Sequence, residues 1–357
     1  MSDEIWVLGA TGRTGRAVAA CLRDAGFRLV LVGRDRTRLE GSATELGGDP
    51  RIVVGALGTA LASLTQAAPA VVVNTIGPFT ETAPRVVRAC PPGTHYVDVA
   101  NELAAVSGVL APHERAVATT RTLVTGAGFG VLATESVVLQ LCAGQPPAAR
   151  VRVDALASVG TEPGVIGPAL AATIIEGLAS GFRRVERGRM APTWLARDLE
   201  RPTTPDGFTL STASLPSGEL VAAWRASGAA SVVAASSFAP TALTLRALMP
   251  AISALIRLPL IRRFATGRLA RVPVRAQERP REFSWAHARV EWATGATRDG
   301  WLRAGDGMAF TAAVTADVAR RLAQGEGRSG AYTPGALFGP DLAIQAGGQF
   351  ILDHDAP

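Results

Sequence analysis

The chain has 357 residues, 48% hydrophobic and 18% charged, enough for one large or two ordinary globular domains, each with its own core. All 36 basic side chains are arginine, and the absence of lysine excludes a Walker-type phosphate loop, a Schiff-base enzyme and a catalytic Tyr-x-x-x-Lys pair. Three scattered cysteines and four histidines show no disulfide or zinc-ligand spacing, and the dispersed arginines behind the net charge of +6 make no nucleic-acid partner expected.

The opening Met-Ser-Asp-Glu-Ile lacks the charged start and apolar core of a signal peptide, so a cytoplasmic protein is expected. Ile5-Trp6-Val7-Leu8 reads as a buried strand. It runs into Gly9-Ala10-Thr11-Gly12-Arg13-Thr14-Gly15, and Val18, Cys21, Leu22 and Ala25 then recur at helical spacing. Glycines in a strand-to-helix turn serve a tight bend, the close approach of a pyrophosphate and helix-on-strand packing, with the helix N-terminus facing the phosphates. Gly9, Thr11, Gly12, Arg13, Thr14 and Gly15 are therefore candidate cofactor-binding residues, although the spacing is G-x-x-G-x-x-G rather than the commoner G-x-G-x-x-G.

Short β-branched runs then alternate with helical stretches: 29–32, 52–54, 71–73, 96–99 and 122–124. That alternation predicts an α/β fold with a doubly wound parallel sheet of Rossmann type, whose ligands lie at the carboxyl ends of the strands. The second strand ends in Gly33-Arg34-Asp35. An acid at this strand end would hold a free ribose hydroxyl, whereas an arginine suits a 2′-phosphate. With Arg34 there and Arg13 in the glycine turn, NADPH/NADP is the expected cofactor; the alternative is that Arg34 and Arg36 are solvated charges at a helix start.

Asn74, Thr75, Gly77, Pro78 and Phe79 follow the strand 71–73 and are expected around the nicotinamide half, or else form a turn with a core phenylalanine. Tyr96 begins its strand and should point away from that edge. Asn101 and Glu102 come after the useful end of the same strand and, with Phe129, are the candidate catalytic residues, although helix capping alone also accounts for Asn101. Gly126-Ala127-Gly128-Phe129-Gly130 implies close approach of backbone to a ligand.

The set Gly9–Gly15, Val73–Phe79, Thr94–Asp98 and Gly126–Gly130 resembles the saccharopine-dehydrogenase-like oxidoreductases, including the trans-acting enoyl reductases, well over residues 3–140 and loosely beyond. The resemblance implies a nicotinamide-binding Rossmann domain at 1–127, which residues 330–357 would complete. A second α/β domain at 128–330, with a mixed and largely antiparallel sheet, would cover the substrate and make a homodimer. Many members carry Gly-Phe-Asp-Ser where this chain has Gly128-Phe129-Gly130-Val131, so roles of that acid and hydroxyl do not transfer.

Beyond residue 148, 150–156 alternates like a half-exposed strand and 168–180 reads as a helix; 208–210, 220–222, 230–233 and 288–292 read as further strands. Residues 240–264 are the most apolar helical region, yet Pro250, Pro259 and several arginines make it too interrupted to cross a bilayer. It would line an apolar pocket, pack a dimer or lie on a membrane surface. The expected activity is NADPH-dependent hydride transfer to the enoyl C=C bond of a largely apolar, small-molecule or carrier-bound substrate. Imine (C=N) reduction of the saccharopine-reductase type and a non-redox NADP-binding regulator are the alternatives.

Overall fold

The computed structural model describes residues 3–193, 198–239 and 243–352. The chain forms two compact units. One comprises Met1–Ala100, Ala105–Gly128 and Met308–Phe338, the other Asn101–Ala104, Phe129–Gly307 and Gly339–Pro357.

The first unit is built on strands β1 (Ile5–Leu8), β2 (Leu29–Gly33), β3 (Arg51–Val54), β4 (Val71–Asn74), β5 (His95–Asp98) and β6 (Thr122–Val124), with the late strand Gly330–Tyr332 beside β6. All seven run parallel, in the order 330–332, β6, β5, β4, β1, β2, β3. Parallel strands need crossovers, supplied here by helices α1 (Arg13–Asp24), α2 (Arg36–Leu46), α3 (Leu57–Ala67), α4 (Phe79–Ala89), α5 (Leu103–Leu110) and α6 (His113–Ala118). β1 and β4 are buried at every position, as expected for strands covered on both faces. Leu8 pairs with Asn74 and Asn74 with Asp98, so three strand ends finish level at the carboxyl edge.

In the second unit a π-helical turn, Phe129–Ala133, leads into α7 (Thr134–Cys142). The central strand β7 (Arg150–Leu156) runs parallel to Ser231–Ser236 and antiparallel to Ser284–Glu291, which continues antiparallel through Thr297–Ala304 to Gln349–Leu352. The hairpin Phe182–Glu186 and Arg189–Thr193 completes the other edge of this eight-stranded, largely antiparallel sheet. One face is apolar, with Val151, Val153, Ala286, Ala288, Val290 and Leu302 buried. It packs on α7: a Cβ on Gly300 would strike Val137 and Leu141. The opposite face carries Arg152, Asp154, His287, Arg289 and Asp299.

Helix α8 (Gly167–Ser180) forms where the helical pattern predicts it. Two strand expectations fail. Residues 220–222 lie inside a helix, α9 (Gly218–Ser227), because a helix buried on nearly every side has the continuous apolar run of a buried strand. Residues 208–210 make only an isolated bridge, Thr203 to Thr209. The apolar region supplies α10 (Leu243–Ile256) and α11 (Pro259–Ala270); its residues 240–242 lie outside the described residues.

Candidate functional site

The glycine turn is shaped by close contacts that each exclude a side chain. Gly9 has φ of 81°, in the left-handed region, and a Cβ there would stand 2.7 Å from Thr75 Oγ1. A Cβ on Gly15 would stand 2.3 Å from the Gly9 carbonyl oxygen, so this glycine lets α1 settle against the turn. Gly12 differs. Its backbone is ordinary extended chain (φ −79°, ψ 161°), it is exposed, and a Cβ would meet only the Gly9 oxygen, at 3.2 Å.

A side chain at position 12 would need the Gly9 carbonyl to give way slightly, and apart from that oxygen nothing crowds the space at the start of α1. No side chain caps this helix and no acid sits in its first turn, so the positive end of its dipole faces that space. A phosphate group fits there by charge and by shape. Arg16 holds the turn from behind, donating to the Thr11 carbonyl at 2.9 Å; Arg13 and Thr14 are half-buried in the first helical turn. Arg34 is exposed directly after β2. Asp35 is occupied as the N-cap of α2, its carboxylate accepting from Arg38 N–H at 3.0 Å.

Thr75 ties β4 to β1: its hydroxyl and its N–H both donate to the Leu8 carbonyl, at 2.8 and 3.0 Å. Asn74 is fully buried. Its Oδ1 accepts from Ile76 N–H at 3.1 Å, and its Nδ2 donates to Thr82 Oγ1 and Tyr96 Oη, both at 3.2 Å. This holds the Gly77-Pro78 turn, a cis peptide, at the head of α4, where Phe79 is buried. Tyr96 in turn donates to Asp98 Oδ2 at 2.8 Å, so its side chain runs along the sheet to the carboxyl edge rather than away from it, and its hydroxyl is engaged inside the fold.

Asp98 also accepts from Thr125 Oγ1 at 2.8 Å and from the N–H groups of Ala100 and Gly126, both at 3.0 Å. Burial pushes its carboxyl up to about 6 despite these donors. The 126–128 turn is thus clamped from below, and Thr315 fastens it from the other side by donating to the Ala127 carbonyl at 2.7 Å.

In the second unit Asn101, Glu102 and Phe129 gather with a residue the sequence reading does not single out, Glu219. The Asn101 carbonyl accepts from Gly218 N–H at 2.8 Å, and its Nδ2 donates to Glu219 Oε1 at 3.3 Å. Glu102 accepts from Thr173 Oγ1 at 3.0 Å. Glu219 sits in the first turn of α9, 3% exposed, and its Oε2 is buried with no hydrogen-bond partner among the described residues. Burial pushes its carboxyl above the ordinary range, opposed by Ser217 and Asn101. A Cβ on Gly130 would stand 2.3 Å from Glu219 Oε1, so this glycine makes room for that carboxyl. The available signal was an acid opening an apolar run after Ser217-Gly218; reading 220–222 as a strand hid it.

No family model and no curated protein matches the chain. Among solved structures, the apo saccharopine dehydrogenase (L-Glu forming) of Saccharomyces cerevisiae superposes with a TM-score of 0.61 over 98% of this chain and 99% of that one, at 12% identity. A metagenomic short-chain oxidoreductase in complex with NADP matches 35% of this chain and 81% of its own at 18% identity, with a TM-score of 0.31. Over its whole length, the chain has a saccharopine-dehydrogenase-like fold.

Proposed function

We propose that the protein is an NADPH-dependent reductase of the activated C=C bond of a largely apolar substrate, with the first unit, to which Met308–Phe338 returns, as the NADP-binding domain and the second unit as the substrate domain. The observation that carries the reading is the open space over Gly12 at an uncapped helix start. Gly9, Thr11, Gly12, Thr14 and Gly15 hold the pyrophosphate, and Arg13 and Arg34 hold the 2′-phosphate. Thr75 and the Gly77–Phe79 backbone, set in place by Asn74, line the nicotinamide half. The cofactor would supply the hydride.

The proton is the chain's own contribution. Glu219, whose carboxyl burial pushes above the ordinary range, donates it from Oε2 to the substrate oxygen, with Asn101 fixing Oε1 and Glu102 and Phe129 shaping the surroundings; solvent then reprotonates the carboxylate. The unpartnered Oε2 also suits the N–H of an iminium, which favours imine reduction as the second reading.

Fluorescence titration tests the cofactor half. NADPH is expected to bind at least about tenfold more tightly than NADH, and Arg34→Asp to erase the difference; equal affinities in the native protein end the NADPH assignment. Gly12→Val is expected to abolish binding with the thermal melt unchanged. Turnover of NADPH with an α,β-unsaturated ketone against a cyclic imine separates the two substrate readings. Glu219→Gln is expected to lower kcat by roughly 10²–10⁴ and remove the alkaline limb of the pH–rate profile, with NADPH affinity intact; an unchanged profile excludes Glu219 as the donor.

A further inference from the structure

Between Glu219 and Glu278 the chain contains no aspartate or glutamate and eight arginines. The second half of that span is α10, α11 and the segment after them; Met249 and Ile256 there are buried, but several other large apolar side chains are strongly exposed. Leu260 is 81% and Phe264 70% exposed, with Leu248, Leu255, Leu258 and Ile261 also open to solvent. Isolated exposed leucines are ordinary, but a contiguous set on two consecutive helices is what monomeric proteins avoid unless the patch has a partner.

The helical period explains how α11 presents this face. Arg262, Ala265, Thr266 and Leu269 are half-buried at positions three or four apart and form the stripe toward α8, where Arg262 pairs with Glu176. Leu260, Ile261 and Phe264 occupy the other side. Arg268 continues that side one turn later, and Arg257 and Arg271 precede and follow the helix, all exposed. Arginines flanking an apolar centre can keep their guanidinium groups in a headgroup layer while the leucines and phenylalanine enter the acyl boundary.

We infer that α10 and α11 form a docking surface for an anionic lipid bilayer, on which the protein lies peripherally. Charge selects this occupant over a second copy. An isologous dimer through this face would set Arg257, Arg263, Arg268 and Arg271 of one chain against the same residues of another, while Glu176, the acid beside α11, is already paired with Arg262. An acidic headgroup layer answers the same arginines favourably, and their number exceeds the single weak anchor that gives only marginal binding. No helix among the described residues is long and apolar enough to cross a membrane, so the contact is interfacial. The inference is independent of the proposed reductase activity.

Co-sedimentation of the full chain with phosphatidylserine-containing vesicles tests it. Binding is expected at low salt, at least about tenfold weaker to pure phosphatidylcholine vesicles, and weakened to a similar degree by 0.5 M NaCl. Leu260→Ser with Phe264→Ser, and separately Arg263→Glu with Arg268→Glu, should each reduce partitioning at least about tenfold; all four side chains are exposed or nearly so, and an unchanged melting temperature verifies folding. Failure to sediment at low salt, or equal binding to neutral vesicles, overturns the inference. So does concentration-dependent dimerisation without lipid that Phe264→Ser abolishes, which would make the face an interface between copies.

Discussion

Each unit buries an aspartate almost completely, and the two are held in opposite ways. Asp98 in the first unit is surrounded by neutral donors: one tyrosine, one threonine and two backbone N–H groups. Asp154 in the second is surrounded by cations. Arg152 donates from Nε at 3.0 Å and from Nη2 at 2.8 Å, Thr212 donates at 2.6 Å, and His287 Nδ1 lies at 3.2 Å. Burial wins at Asp98 and pushes its carboxyl up to about 6, whereas His287 and Arg152 hold Asp154 far below the ordinary carboxylate range. Four neutral hydrogen bonds do not replace one buried positive charge.

The largest expected effect comes from removing the anion that organises the second cluster. Asp154→Ala leaves Arg152 and His287 buried without their common counter-charge and should destabilise by about 3–5 kcal/mol in urea denaturation. A loss under about 1 kcal/mol would mean that solvent, not Asp154, satisfies the arginine.

Asp98 sharpens the contrast through pH. Its folded pKa of about 6 lies above the ordinary 3.8, so the native state favours the protonated form; stability from this group is complete below pH 4 and is lost as pH rises through 6. The loss is on the order of 3 kcal/mol. Asp98→Asn should lack that decline between pH 4 and 6, whereas the Asp154 contribution appears above about pH 4 and vanishes only in stronger acid. Parallel denaturation series of the two variants measure both, and identical slopes in native protein and Asp98→Asn would refute the neutral-donor account.

The two clusters also differ in how far the sequence announces them. The first unit's strands are spaced by the chain itself, so 29–32, 52–54, 71–73, 96–99 and 122–124 were readable from β-branched runs, and the glycine turn from its place between strand and helix. Asn74 was readable as important but not as inward-facing, because its partners Thr82 and Tyr96 come from the following helix and strand. In the second unit the register sets Asp154 against His287, 133 residues apart, and no local period foretells that. Glu219 was hidden for the same reason: its meaning depends on Asn101, 118 residues away, and on the missing side chain at Gly130.

His287 comes next in size. It lies between two carboxylates, with Nε2 at 2.8 Å from Asp299, and stacks on Trp301 at a centroid distance of 4.3 Å. Those hydrogen bonds raise its pKa against burial. Its stabilisation is therefore present below pH 6.5 and is lost as pH rises through the folded value. His287→Gln should cost about 2 kcal/mol at pH 6 and less at pH 9; a cost that grows with pH would show that the neutral ring is the stabilised form.

The smallest effect belongs to the rim of the same cluster. Arg289 donates to Asp299 from Nε at 3.0 Å, in a geometry as good as that of Arg152, but its side chain is 44% exposed against 8%. Water can replace what the arginine gives, and salt screens the pair. Arg289→Met is expected to cost less than about 1 kcal/mol, and 0.5 M NaCl should remove most of that difference while leaving the Asp154→Ala cost nearly unchanged. If salt reduced both alike, the interior of the cluster would be reached by ions and water, and its contrast with Asp98 would come from solvent access instead of from charge.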